Sequence, residues 1–434
     1  MDSEKVKILD KSLDNDSAIP NIVVKRLKLK YILIFFISSF LITQTKIVFI
    51  LINAKDNFIF KLFNNNFQRN SFYKNEIDKM ESLRRGQNYF NLCIKGKLIK
   101  DIPKDINLNE KPLISVVIPV YNTKDKIKSV IRSAQNQNIS NIEIVLVNDF
   151  SNDETIKIID EIKKEDKRIE SINNKKNMGT LYSRCIGTLK AKGKYIFPLD
   201  NDDFFFDESL FSTITNEAEK GNFDIIEFKG ASRVNYDLPP NSFQDTNYSN
   251  HKHGLILYQP ELSLYSRKRG NQFGVYDCFL WAKCIRNEVY KKTINLIGKN
   301  IYKRKIIWGE DLITSFVLFR VAKSFKFIGI YGIFRYLNIN TATYHTSESL
   351  VVFSKIIYLY IILKFTENSY KDKKYVFFRA FGFINSFKTI NLSKRNKIYL
   401  KEIVKLILDN DYISVSDKNK IKSAFLNLKY SNKL

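Results

Sequence analysis

The chain has 434 residues, enough for one large or two ordinary domains, and its 44% hydrophobic content can build a real core. Its formal charge of +26 (71 Lys+Arg against 45 Asp+Glu) raises the question of a polyanion partner, but the surplus is mostly Lys, spread along the whole chain among Asn, Ile, Phe and Tyr. With no Arg-rich arm, zinc-finger spacing or aromatic RNA-binding signature, no nucleic-acid partner is expected; Cys93, Cys185, Cys278 and Cys284 form no C-x-x-C pair, so neither structural zinc nor a disulfide scaffold is indicated.

Residues 1–30 are polar and read as a disordered cytoplasmic tail ending in Lys25, Arg26, Lys28 and Lys30. Next comes Tyr31–Asn53, YILIFFISSFLITQTKIVFILIN, whose uninterrupted apolar part, Tyr31–Ile42, is too short to span a bilayer unaided. Its fifteen Ile, Leu, Phe and Val residues contribute on the order of −6 kcal/mol of insertion free energy, against roughly 2.5–3.5 for a deep Lys46. Insertion is favoured, and the basic flank keeps the N-terminus cytoplasmic. The reading is a single-pass anchor over 31–53, in the secretory pathway or Golgi if the source is eukaryotic; a buried amphipathic helix is the alternative. Residues 54–111 read as a stem or N-terminal extension, and Pro112 marks the entry to a main domain extending to about 345.

From there strands and helices alternate. Ile114–Ile118 is an apolar strand broken by Pro119, followed by a helix over Lys126–Gln135 and a strand over Ile142–Val147. A helix over Asp153–Asp166 has Ser151 and Glu154 at capping-box spacing, with Ile156, Ile159 and Ile162 on one face. A weaker strand, Arg168–Ile172, precedes the Asn177-Met178-Gly179 turn, a helix over Thr180–Ala191 and a strand over Lys194–Leu199. A helix over Glu208–Lys220 and a strand over Phe223–Phe228 follow. Such alternation implies an α/β fold, a mostly parallel sheet with helices on both faces and ligands at the carboxyl ends of the strands.

That edge is where the acids emerge. Asp200, Asp202 and Asp203 end the 194–199 strand, and Asp149 ends the 142–147 strand. Crowded carboxylates repel unless a cation holds them, and hard oxygen ligands of this kind suit Mn²⁺ or Mg²⁺ shared with a substrate phosphate. For an isolated D-x-D-D, a solvated acidic turn is the competing reading.

The blocks ISVVIPVYN (114–122), VNDFSNDET (147–155), NMGTLYSRC (177–185) and GKYIFPLDNDD (193–203) resemble, in order and in spacing, the family-2 glycosyltransferases. The resemblance, strong over about 112–230 and extending to about 345, implies the GT-A fold, Rossmann-like; the N-terminal anchor helix and the C-terminal helical region lie outside it. It implies a hexosyltransferase-type enzyme with a nucleotide-sugar donor and a divalent metal. Pro119, Tyr121 and Asn122 would form the loop lining the nucleotide pocket, and Asp149 would contact the base or ribose. Asn177, Gly179 and Arg184 would form a diphosphate site at a helix N-terminus, where backbone N–H groups and a guanidinium suit that charge. Asp200 and Asp202 match the D-x-D motif, with Asp202 the direct metal ligand and Asp203 positioning it.

In the second half, IWGEDLITSFVLFRV (307–321) resembles the family's Glu-Asp motif, so Asp311, with Glu310 next, is the expected base; acids in a first helical turn also simply offset the macrodipole. Trp281 and Lys283, in VYDCFLWAKCI (275–285), are weak candidates for the acceptor region; a core role is the alternative for Trp281. His251-Lys252-His253 reads as a solvated loop rather than a metal pair, and His345 is a weak further ligand candidate. Residues 346–434 form a helical region in which Val351–Phe365 is a packed or membrane-surface helix. The resulting expectation is an inverting, metal-dependent glycosyltransferase acting on a glycan, lipid or protein acceptor. The rival from another class is a non-catalytic membrane-attached sugar-nucleotide-binding or scaffold protein.

Overall fold

The computed structural model describes residues 110–233, 253–259, 278–336, 347–366 and most of 370–428, with scattered positions in 82–102 and two-residue strand pieces between 244 and 273. The chain divides into Met1–Met80, which lies outside the described residues together with the expected tail and the 31–53 anchor, and Glu81–Leu434, to which everything below refers.

Strands β1 (Ile114–Val120), β2 (Ile142–Asn148), β3 (Ile169–Asn173) and β4 (Tyr195–Pro198) are parallel, with β1 between β2 and β4 and β3 outside β2. Helices α1 (Ile127–Gln135), α2 (Thr155–Glu165) and α3 (Thr180–Lys190) make the crossovers. After β4 come β5 (Asp203–Phe205), α4 (Leu210–Gly221), β6 (Ile225–Arg233), β7 (Lys283–Arg286), α5 (Asn287–Ile297), α6 (Glu310–Val321) and β8 (Ser324–Tyr336). The sheet runs β3-β2-β1-β4-β7-β6-β8-β5. Within it β7 is antiparallel to β4 and β6, and β5 is antiparallel to β8.

The two-residue period of the strands builds two cores. Ile114, Val116, Ile118 and Val120 join Ile142, Ile144, Leu146 and the α1 residues Ile127, Val130 and Ile131 on one face. Val117, Val145 and Val147 face the other way, onto Leu181 and Cys185 of α3. Both faces are covered, which is why the strands read as unbroken apolar runs. The second core continues into helices α7 (Glu348–Phe365), α8 (Tyr370–Ser386), α9 (Lys394–Leu408) and α10 (Val415–Leu426). Helix α7 is apolar all round because it is packed on most sides, burying Val352, Ile356, Ile361 and Ile362. No helix among the described residues is long and apolar enough to cross a membrane.

Two local expectations are corrected. Pro119 does not break β1: the strand runs on to Val120, and Pro119 pairs with Val147. Val117 offers its carbonyl to Leu199 on the β4 side, so Pro119, two residues on, faces that same side just beyond the end of the β1–β4 pairing, where its missing N–H costs nothing. The capping box of α2 does not form either. Ser151 Oγ accepts the Asn122 N–H (3.0 Å), and Asp153 Oδ1 accepts the Thr155 N–H (3.1 Å), so loop contacts win over the reciprocal cap. All four cysteines are free.

Candidate active site

Three loops meet at the carboxyl edge of β1, β2 and β4. Asn122, at φ 44° in the left-handed region, uses Oδ1 to accept the Asn152 N–H at 2.9 Å. Thr123 Oγ1 donates to the Asn201 carbonyl at 3.1 Å, which ties the β1 loop to the acidic turn. Tyr121 stands 45% exposed beside them, its ring open to solvent. The loop residues expected to line a pocket are therefore together, with Pro119 at the strand end beneath them.

Asp149 is buried, and its carboxylate accepts the backbone N–H groups of Met178 and Gly179, each at 2.7 Å, and the Asn174 amide at 2.8 Å. It thus fixes the turn that starts α3. A carboxylate has about four acceptor directions, so three protein donors leave little for the expected contact to a base or ribose. Asn177 sits half-buried in the same turn. Gly179 is the α3 N-cap at φ 89°, and a Cβ there would lie 3.1 Å from the Ile306 carbonyl. Both the torsion and the close approach demand glycine.

One turn into α3, Arg184 is almost fully buried and reaches Asp311, 127 residues further along the chain. It donates through Nη2 to Asp200 Oδ1 at 2.5 Å and through Nη1 to Asp311 Oδ1 at 2.7 Å, with Glu310 Oε1 at 4.0 Å. Glu310 and Asp311 open α6 directly after Gly309, which adopts the left-handed conformation. Burial works against the charge of Arg184, but Asp311 and Asp200 hold the guanidinium firmly protonated. Burial and the neighbouring Asp311 push Glu310 up to about 8. Asp311 is also raised by burial, against the pull of Arg184 and a hydrogen bond from the Leu280 backbone.

Asp202 lies beside this cluster. Burial and then the Asp200 charge push it up to about 6, against Lys126 and Arg335. Among the described residues no three His, Cys, Asp or Glu side chains gather as a complete metal site. A desolvated carboxylate repelled by its neighbour is nonetheless what a divalent cation would stabilise, and Mg²⁺-type sites commonly take one or two carboxylates plus phosphate and water. The donor set of Asp202 and Asp200 fits such an ion. Asp203 faces the ladder instead, with Arg335 Nε 3.7 Å from its Oδ2.

The two acceptor-region candidates are corrected. Trp281 is 2% exposed, stacked on Phe279 at 5.1 Å and covered by the Arg335 guanidinium at 4.9 Å, so no sugar can reach its face. Lys283 is fully buried, its Nζ 3.0 Å from Glu227 Oε2 on the adjacent strand and donating to the Phe279 carbonyl at 2.8 Å. Both are core. His253 is exposed and its Nδ1 accepts the Gly329 N–H at 2.9 Å, whereas His251, Lys252 and His345 lie outside the described residues. The residue sequence reasoning missed is Arg335, whose approach to Asp202 and Asp203 depends on the β5–β8 pairing; no local motif announces it.

Residues 115–292 match the family model described as glycosyl transferase family 2. An uncharacterized glycosyltransferase of Haemophilus influenzae is 42% identical over 178 residues, 40% of this chain and 64% of that protein. The UDP-Glc:alpha-D-GlcNAc-diphosphoundecaprenol beta-1,3-glucosyltransferase WfaP of Escherichia coli is 39% identical over 117 residues, 27% of this chain and 46% of that one. The chain thus spans less than two thirds of the length of these curated relatives. In fold, it resembles S. aureus TarS 1-349 in complex with UDP-GlcNAc, with a TM-score of 0.52 at 13% identity over 72% of this chain and 88% of that one. The motif series, the mixed α/β sheet of GT-A type and the family match agree, and residues 115–292 of this chain are a glycosyl transferase family 2 domain.

Proposed function

We propose that the protein transfers a sugar from a nucleotide-diphospho-sugar, in the first instance a UDP-sugar, to a hydroxyl of a glycan, lipid or protein acceptor, with inversion at the anomeric carbon. The observation that carries this reading is Arg184, a buried cation that holds the D-x-D residue Asp200 and the Glu-Asp residue Asp311 in one cluster. Donor-side and acceptor-side acids thereby share a single centre.

Asp311 takes the acceptor proton: burial raises its basicity, while Arg184 and the Leu280 N–H fix its direction. Glu310, pushed up to about 8, stays largely neutral near pH 7 and so leaves the negative charge to Asp311. The start of α3 offers its first-turn amides to a departing diphosphate, whereas the Arg184 guanidinium, expected there as well, is already taken by Asp200 and Asp311. Tyr121, Asn122 and Pro119 shape the nucleotide side, in a loop held by Ser151, Asn152 and, through Thr123, Asn201. Asp202 with Asp200 would hold Mn²⁺ or Mg²⁺, which when bound neutralises charge growing on the leaving diphosphate. The named activity of the E. coli relative and the UDP-GlcNAc in the S. aureus fold neighbour support a UDP donor and a lipid-linked acceptor. The 31–53 stretch is proposed as the membrane anchor, with the N-terminus cytoplasmic; carbonate extraction of the full chain against one starting at residue 54 tests it.

The test of activity is nucleoside diphosphate release by residues 54–434 with a series of UDP- and GDP-sugars and Mn²⁺ or Mg²⁺. Release is expected with one donor and is abolished by Asp202→Asn. No release with any donor would favour the non-catalytic binding role.

A further inference from the structure

Trp308, two residues before Glu310, packs against a group that the mechanism does not use. Lys355 of α7 is half-buried, and its ammonium faces three aromatic rings, with centroids of Trp308 and Phe383 at 5.5 Å and of Phe387 at 5.6 Å. Its hydrogen bond runs to the exposed Ser386 hydroxyl at 3.2 Å. No carboxylate pairs with it among the described residues, and desolvation alone lowers its pKa. Aromatic faces compensate a desolvated ammonium by about 0.5–2 kcal/mol, less than an anion in contact would.

The location gives this cluster its meaning. Trp308 stands two residues before Glu310, so their Cα atoms are at most about 7 Å apart. The Ile307 N–H reaches Ser354 Oγ at 3.5 Å, which ties this segment to α7 one residue before Lys355. Trp308 as a residue is half-buried, and its ring meets Phe383 edge-on at 5.7 Å. An indole with an open part and an unpaired cation beside it suit a sugar ring that carries an anion.

We propose that Trp308, Lys355 and Phe383 form an acceptor subsite for a saccharide bearing a phosphate, with Lys355 binding the phosphate and Trp308 the sugar. This rests on the transferase reading above and deepens it by naming the acceptor class. Lys355 is a specificity-determining residue; it takes no part in the proton transfer.

The test uses the full chain and its intrinsic fluorescence, because the sequence has only 2 tryptophans and Trp281 is buried in the core. With UDP and Mg²⁺ saturating the donor site, N-acetylglucosamine 1-phosphate is titrated against N-acetylglucosamine and against inorganic phosphate. The phosphosugar is expected to change the emission saturably and to bind more tightly than either control. Lys355→Ala is expected to weaken it about tenfold and Lys355→Arg to restore part of that, with UDP affinity unchanged in both. In Trp308→Phe the signal should vanish. Equal response to sugar and phosphosugar, equal affinity for inorganic phosphate, or an unchanged titration in Lys355→Ala would overturn the subsite. Failure of UDP itself to bind would instead overturn the transferase reading, so the two failures are separable.

Discussion

Arg184 is the residue on which the centre turns, because removing one member of a buried ionic cluster leaves the others unpaired. Arg184→Met strands Asp200 and Asp311, and a cost of roughly 3–5 kcal/mol is expected, read as a lower denaturant midpoint together with lost turnover. Arg184→Lys keeps the charge but cannot bridge two carboxylates with one planar fork. It should fold and lose most of its transfer rate. The neighbouring pair separates by role: Asp311→Asn should abolish transfer while UDP affinity persists, and Glu310→Gln should leave measurable transfer. The pH dependence follows from Glu310. Its carboxyl titrates near 8 in the folded chain, against an ordinary 4.5. The native state therefore holds a proton that the unfolded chain has lost across that interval, and this contribution falls away as pH rises from about 4.5 through about 8. Glu310→Gln should accordingly raise the melting temperature most at pH 8–9 and hardly at all near pH 4. Unfolding curves across pH measure this directly. A gain that is constant with pH would mean that Glu310 is not held protonated.

At the scale of elements, helix α3 is the lever that sets Arg184. It sits so close to the sheet that a Cβ on Gly187 would meet Val117 Cγ1 at 2.6 Å and Val147 Cγ2 at 2.9 Å. Gly187→Ala should therefore lift the helix and cost about 1–3 kcal/mol, as overpacking does, with transfer falling more than fold stability. Asp149 anchors the same helix from its start, so Asp149→Ala leaves two backbone donors unmet and should cost about 2–3 kcal/mol. Both can be read from chemical denaturation. This helix also marks how far the sequence was legible. The alternation of strands, the glycine turn at Gly179 and the acids at the strand ends were visible because each is a local pattern. Trp281 and Lys283 were misplaced because a side chain's neighbours across β7, β6 and β8 are fixed by register, which local spacing does not encode. Asp149 was placed at the right edge, but its partners Met178 and Gly179 belong to a turn whose closure is a tertiary fact.

The whole molecule is larger than the segment that carries its family likeness. The match ends at residue 292, yet Glu310 and Asp311 lie beyond it on α6. Helix α6 is in turn backed by α7 and α8, with Phe316 stacked on Tyr375 at 5.8 Å and edge-on to Tyr358 at 6.3 Å. Those two hydroxyls lie 2.5 Å apart, so the backing is a joined polar and aromatic layer inside an apolar core. The C-terminal helices are then a wall of the active centre, and a chain ending at residue 346 would strip one side of the core that α3, α5 and α6 share with them. Burial is what raises Glu310 and Asp311, so their exposure would return both towards ordinary carboxylates. The shortened chain should bind a hydrophobic dye, melt over a broad range and fail to transfer sugar. Circular dichroism and dye fluorescence during heating would check this. A sharp transition at an unchanged temperature would instead make residues 347–428 an appendage, and would remove the reason for seeking an acceptor subsite on α7 and α8.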